Sequence, residues 1–321
     1  MSSIVILGAN GFLGRELLGA INISRSVKAV VREIPTYVGT NQKNVTWIAA
    51  DLMKPESLKH ILLEGEIVIN LAYIYDGDKT ENLRLVDNVI KACLLAKSSR
   101  LIHCSTAAVA GNTKKKCVNE LTLCEPSTSY ERTKFEIETR LISSLKNKLD
   151  VGIIRPTAIV GYGGKNLRKL ANSLLNGNRL TNYLKTCVMG KMPMHLVPIR
   201  NVVNALLYLA DSSEKLNGNI FLISSDDEID NNYQRVEEIL LEALNLGRRR
   251  LSPIFLPRII QLIVFRLFGR NDFNMYRTYD SKKLKDYGFK PVDSVNEAIC
   301  QFANSIKEDA FADLTVNKVI D

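Results

Sequence analysis

The chain has 321 residues, 46% of them hydrophobic and 24% charged, with a net charge of +9. That length holds one large or two coupled globular domains. The basic residues are scattered and their densest runs, 113–117 and 247–251, read as solvated loops, so a nucleic-acid partner is not expected, while an anionic small ligand such as a nucleotide suits the charge. Six cysteines form no Cys-x-x-Cys pair, and with three histidines they offer no metal-ligand spacing. No basic segment precedes the first apolar run, which reads as a chain without a signal peptide, and a reduced, cytoplasmic setting is expected.

In chain order, Ser3–Leu7 is an almost wholly apolar run of the kind buried on both faces of a parallel sheet. "GANGFLG" follows, with glycines at 8, 11 and 14, and then leucines and isoleucine at helical spacing. A strand-to-helix turn free of side chains lets a phosphate approach the helix N-terminus, where open N–H groups and the dipole favour it. The spacing is G-x-x-G-x-x-G, a neighbour of the dinucleotide fingerprint, and Asn10, Phe12 and Leu13 fill the turn. Further strands are expected at 27–32, 45–51, 67–72, 101–106, 151–156 and 219–225, with helices at 12–21, 55–63, 80–97 and 129–147. This alternation predicts an α/β fold, a Rossmann-type doubly wound parallel sheet. Residues 1–156 form its dinucleotide-binding domain, and 157–321 a smaller substrate-binding region with some elements returning to the sheet.

Arg32 ends the second strand, where an acidic residue would bind the adenosine ribose and an arginine accommodates a 2′-phosphate. NADP(H) is therefore favoured, with NAD(H) as the alternative because Glu33 follows at once. Asp51, with Leu52 beside it, either meets the adenine edge or caps the next turn. "IFLPRIIQLIVFRLFGRN", 254–271, leaves only seven uncharged residues between Arg258 and Arg266, far short of the ~20 that span a bilayer. It reads first as a helix packed within the C-terminal part, with an interfacial amphipathic helix as the alternative.

"STSYERTKFEIE" puts Tyr130 and Lys134 four apart on one helix face. An ammonium beside a phenol favours the phenolate and lowers the tyrosine pKa, making it a proton donor or acceptor for an alcohol or ketone. Ser105 and Thr106, ending the preceding strand, offer a hydroxyl to the reacting oxygen.

With these motifs in order, the chain resembles the extended short-chain dehydrogenase/reductase group, the NAD-dependent epimerase/dehydratase family of sugar-nucleotide enzymes. The likeness runs through "GANGFLG", "DL" at 51–52, "NLA" at 70–72, "STAAVAG" at 105–111, "YERTK" at 130–134, "IIRPTAIVGYGG" at 153–164 and "VPIRNVVNALLYLA" at 197–210. It implies that Gly8, Gly11 and Gly14 admit the pyrophosphate, that Asp51 and Leu52 border the adenine, and that Leu71 and Ala72 line the cofactor channel. Asn82 would support the active-site region and Pro156 flank the nicotinamide. Thr106 falls on the catalytic Ser/Thr position, Tyr130 on the acid/base, and Lys134 on the lysine that holds the nicotinamide ribose. Asn166 and Leu167 resemble the pair that meets the substrate nucleotide, and Arg200 or Lys191 would take its diphosphate. A homodimer through the helices 80–97 and 129–147 is implied as well.

The chain departs from the family pattern at Ala110, where a tyrosine is frequent, and at 199–201, "IRN" in place of "VDD". Ala107 and Ala108 stand where a dehydratase carries an Asp-Glu pair, which argues against dehydration. The leading expectation is reduction of a 4-keto sugar nucleotide, with a sugar-nucleotide 4-epimerase as the alternative. Another alcohol or ketone such as a steroid-like substrate, or a non-catalytic NADP-binding protein, stands behind these.

Overall fold

The computed structural model describes residues 2–36, 43–249, 251–267 and 275–317, with side chains through 309. Its first half runs β1 (Ile4–Leu7), α1 (Phe12–Ala20), β2 (Val27–Val31), β3 (Val45–Ala49), α2 (Pro55–Leu58), β4 (Ile67–Asn70), α3 (Lys79–Leu95) and β5 (Arg100–Cys104). A 3-10 turn at Ala107–Ala110 leads to β6 (Cys117–Val118), α4 (Ser129–Leu145), β7 (Asp150–Pro156) and β8 (Ala158–Val160). There follow α5 (Arg168–Asn176), α6 (Arg179–Met189), β9 (Leu196–Pro198), α7 (Ile199–Asp211), β10 (Asn219–Ile223), α8 (Tyr233–Ala243), α9 (Arg258–Leu267), β11 (Thr278–Tyr279), α10 (Lys282–Asp286) and α11 (Val295–Asn317).

Among the described residues the main sheet has seven parallel strands in the order β3-β2-β1-β4-β5-β7-β10. The Rossmann-type expectation is met. Alternation splits each apolar run between two cores: Ile4 and Ile6 face α1 and α7, while Val5 and Leu7 face α2, α3 and α4. The order reverses between β1 and β4, and the crevice beyond their C-terminal ends is where such a sheet takes its ligands. A third core joins α5, α8 and α11 to the β8–β9 pair. β10 and α7, from the second half of the chain, pack with the main sheet.

Two elements differ from expectation. The helix expected over 55–63 stops at Leu58, because Lys28 Nζ takes the Ile61 carbonyl at 2.7 Å and Glu66 accepts the Leu63 N–H at 2.8 Å. α9 buries only Gln261 and Phe265 and leaves Ile259, Ile260, Ile263 and Leu267 exposed, so it is packed along one edge rather than enclosed. Residues 268–271 of that stretch lie outside the described residues.

Candidate active site at the C-terminal edge of the sheet

The glycine turn opens the crevice. Gly8 has φ +82°, and a Cβ there would sit 3.0 Å from the Ala72 nitrogen, so the backbone after β4 closes against it. A Cβ on Gly14 would lie 2.5 Å from the Ala9 carbonyl oxygen, so only glycine lets α1 pack this close to β1. Gly11 is the N-cap of α1 with no side-chain cap, and no acidic residue stands in the first turn. The helix therefore presents open N–H groups and the positive end of its dipole to an anion. Gly8 and Ala9 both donate to the Val30 carbonyl, at 3.1 and 3.2 Å, which sets the turn beside the end of β2 and so beside Arg32. Arg32 is exposed. These features fit a dinucleotide pyrophosphate with its adenosine end toward β2.

The other cofactor candidates distribute along the same edge. Asn10 is exposed and its carbonyl accepts from Arg15 Nε at 2.9 Å. Phe12 is half exposed and would touch a Cβ built on Gly164, so it reaches across to the loop after β8, while Leu13 packs on the α1 core. Asp51 accepts from the Met53 N–H at 3.0 Å, and the Leu52 carbonyl accepts from Asn88 at 2.9 Å. Leu71 N–H donates to the Leu7 carbonyl at 2.9 Å, and Ala72 N–H to Asn70 Oδ1 at 3.1 Å. Pro156 is buried at the end of β7.

Tyr130 is placed by a capping box. Thr128 accepts from the Glu131 N–H while Glu131 reaches back to the Thr128 N–H, and this starts α4 one residue before Tyr130. Thr106 caps the 3-10 turn, accepting from the Ala108 N–H at 3.2 Å, and its hydroxyl stands close enough to the Tyr130 phenol to lower its pKa. Lys134 is buried; its Nζ lies 3.4 Å from the Cys104 carbonyl oxygen and 4.4 Å from the centre of the Tyr73 ring.

The Tyr130 phenol is shifted opposite to the expected direction. Burial pushes its pKa up, the neighbouring Tyr75, Cys104 and Tyr73 push it further, and the Thr106 hydroxyl opposes them. Lys134 makes its contacts with Tyr73 and Cys104 instead. Its own pKa is lowered by burial.

Two groups escaped the sequence reading. Tyr73 stacks edge-on against both Tyr75 and Tyr130, at 5.2 and 5.5 Å between centroids, and Asn82 holds their loop by bonding both polar groups of the Ile74 backbone. Aromatic residues directly after a strand at the switch point were the available signal. His195 is the second, with φ +52° and Nδ1 at 2.7 Å from buried Asp226, its ring edge-on to Tyr279. Tyr279 packs on the small cluster of Ala107, Ala110, Val118 and Leu222, which includes the turn that Thr106 caps. Nothing local joins residues 31 apart. His103 is fully buried below the site, and burial holds its pKa well down, with Lys134 adding to the effect. Asn70 Nδ2 faces its Nδ1 at 3.3 Å, so the neutral ring carries its proton on Nε2.

The substrate-side candidates divide. Asn166 is exposed but donates to the Ile159 carbonyl at 2.7 Å. Leu167 is only 1% exposed within the C-terminal core, which leaves its backbone rather than its side chain to face a ligand. Arg200 is half exposed and paired with Asp293 at 2.9 Å. Among the described residues no group of three or more His, Cys, Asp or Glu side chains is placed to hold a metal ion, and no helix is long and apolar enough to cross a membrane.

Residues 4–224 match the model of the NAD-dependent epimerase/dehydratase family. The chain belongs to that family. Sterol demethylase protein B of Methylococcus capsulatus is 29% identical over 170 residues, 49% of this chain and 51% of that protein, so the chain spans about half the length of that curated relative. UDP-N-acetylglucosamine 4-epimerase from Methanobrevibacter ruminantium, solved with UDP-N-acetylmuramic acid, superposes with a TM-score of 0.73 at 19% identity, covering 96% of this chain and 99% of that one. RMD from Pseudomonas aeruginosa, solved with NADPH, superposes with a TM-score of 0.64 at 18% identity over 95% and 99%. Membership of this family supports a nicotinamide dinucleotide as the cofactor.

Proposed function

We propose that this family member is a reductase of a 4-keto sugar nucleotide, with Thr106, Tyr130 and Lys134 as its catalytic residues. The observation that carries the reading is the placing of the Thr106 turn and the first turn of α4 together at the C-terminal edge of the sheet, which sets the Thr106 hydroxyl beside the Tyr130 phenol, whose pKa burial raises. A nicotinamide bound beside it supplies or accepts a hydride. In the reducing direction Tyr130 gives its proton to the carbonyl oxygen and the Thr106 hydroxyl bonds the same oxygen. Lys134, held on the Tyr73 ring and the Cys104 carbonyl, is assigned to the nicotinamide ribose. Ala107 and Ala108 supply no acid or base for eliminating water, which separates this site from a dehydratase.

In this reading residues 1–156 carry the cofactor and 157–321 the substrate region. Gly8, Gly11 and Gly14 receive the pyrophosphate, and Arg32 selects NADPH. Asn10, Phe12, Leu13, Asp51, Leu52, Leu71, Ala72 and Pro156 line its channel. Asn166, Leu167 through its backbone, and Arg200 are assigned to the substrate nucleotide. We assign the enzyme to the cytoplasm as a homodimer through α3 and α4. A 4-epimerase is the second reading, and Glu33 beside Arg32 is the residue that favours it.

The test begins with purified protein. Nucleotide released on denaturation is identified, fresh protein is titrated with NADPH and NADH, and a panel of 4-keto-6-deoxy nucleotide sugars is assayed. A protein that arrives empty, prefers NADPH and reduces one of the panel supports the reductase. Tightly retained NAD(H) with no net turnover supports the epimerase, and binding of neither cofactor removes the whole assignment.

A further inference from the structure

α9 packs on the protein by one side and exposes an apolar face on the other. Gln261 and Phe265 face the protein, and the other side exposes Ile259 (73%), Ile260, Ile263 and Leu267 (80%) at helical spacing. The segment before it adds Leu251 and Ile254, the latter 75% exposed. That segment lies along α6: Leu256 N–H donates to the Cys187 carbonyl at 3.1 Å, and Tyr183 Oη to the Ser252 carbonyl at 3.2 Å. α6 itself exposes Leu180 and Leu184 at i and i+4. Exposed apolar side chains gathered on neighbouring elements of a folded chain mark a partner.

The charge around it indicates which partner. From 243 to 267 there is no Asp or Glu, while Arg248, Arg249, Arg250, Arg258 and Arg266 lie in that span. Arg249 pairs with buried Glu237 and Arg258 stacks on Tyr276 at 4.4 Å, and the side chains of Arg248, Arg258 and Arg266 are exposed to solvent. In a twofold contact between copies the same patch meets itself, and the stretch 243–267 offers no carboxylate to pair with the partner's arginines. An anionic surface meets both features at once.

We propose that this face, α9 with the segment 251–257 and the exposed leucines of α6, docks the protein on an anionic lipid bilayer. The helix lies in the interface plane, its isoleucines entering the acyl boundary and its arginines meeting headgroup phosphates. Ten residues, about 15 Å of helix, lie on the membrane and do not cross it. Gln261 accepts from Tyr276 Oη at 2.8 Å, and Arg277 donates to the Gly111 and Thr113 carbonyls at 2.7 and 2.8 Å. Docking therefore holds the loop after the Thr106 turn near the membrane. The inference is independent of the substrate assigned above.

Full-length protein is sedimented with phosphatidylcholine vesicles containing roughly 30 mol% phosphatidylglycerol, and with phosphatidylcholine alone. The expected result is sedimentation with the anionic vesicles only, reversed by about 0.5 M salt. Ile259→Ser/Ile263→Ser should weaken the partition at least about tenfold while far-UV dichroism and Tm stay unchanged, since both side chains are exposed. Failure to sediment with anionic vesicles, or equal binding to both kinds, overturns the proposal. An oligomer that the double substitution converts to monomer overturns it too, and gives the face to a second copy.

Discussion

The Lys134 ammonium lies 4.4 Å from the centre of the Tyr73 ring, and Tyr73 in turn packs edge-on against Tyr130. The lysine four residues beyond the phenol is thus held through a third side chain, on an aromatic face that attracts cations. Tyr130 is left among two other phenols and a thiol, and burial dominates its titration.

The pH dependence follows with a definite sign. A group that acts as an acid works below its pKa, and the Tyr130 pKa is raised above its usual value of 10. Reduction should hold a constant kcat/KM between about pH 7 and 9, and oxidation, which needs the phenolate, should rise about tenfold per pH unit. Tyr130→Phe should lower turnover by about 10³-fold and leave NADPH affinity within about twofold. A reduction rate that falls steeply within that window would mean that Lys134 governs the phenol after all.

Arg32 carries the cofactor prediction. Its removal in Arg32→Ala takes away a charge-assisted contact worth about 1.5–3 kcal/mol to a 2′-phosphate. The dissociation constant for NADPH should rise roughly tenfold or more, with that for NADH unchanged, as read by fluorescence titration. Equal loss for both cofactors would place Arg32 elsewhere than at the ribose.

Two glycines of α1 should respond with opposite signs. A Cβ at Gly14 meets backbone oxygens of Ala9 and Gly8 at 2.5 and 2.7 Å, atoms that cannot move aside cheaply. Gly14→Ala should cost about 2 kcal/mol or more and weaken cofactor binding. Gly19 has nothing within 4 Å of its would-be Cβ, so Gly19→Ala should stabilise by about 0.5–1 kcal/mol through helix propensity. Urea denaturation of the two variants measures both.

Arg155 and Glu138 form an ion pair buried on both sides, with Nε 3.0 Å from Oε1. It clamps α4 to β7, and so Tyr130 to the strand that ends at Pro156. Arg155→Met leaves a carboxylate without its partner and should cost about 3–5 kcal/mol, while adding Glu138→Leu should recover a large part of it. The same denaturation series distinguishes a pair that stabilises from one that merely avoids an orphaned charge.

The elements legible in the residues were those whose causes are local. Apolar runs bounded by glycine or polar turns announced all seven parallel strands near their observed limits, since a strand inside a parallel sheet has little other composition open to it. Gly8 and Gly14 stood out because backbone sterics at a strand-to-helix turn admit nothing larger. The Tyr130–Lys134 spacing was equally plain.

What those side chains meet was decided elsewhere. Tyr73 intercepts Lys134 because the loop after β4 folds over α4, and Asn82, on a different helix, holds that loop. His195 finds Asp226 because β9 and the end of β10 meet at one edge of the molecule. The helix over 55–63 is cut short by Lys28 and Glu66, which compete for its backbone groups. The sequence by itself determined the periodicity, the turns and the caps, which depend on a few neighbouring residues. Burial, and with it the direction of the Tyr130 shift and the exposed face of α9, is a property of the whole packed chain and was decided only by the tertiary structure.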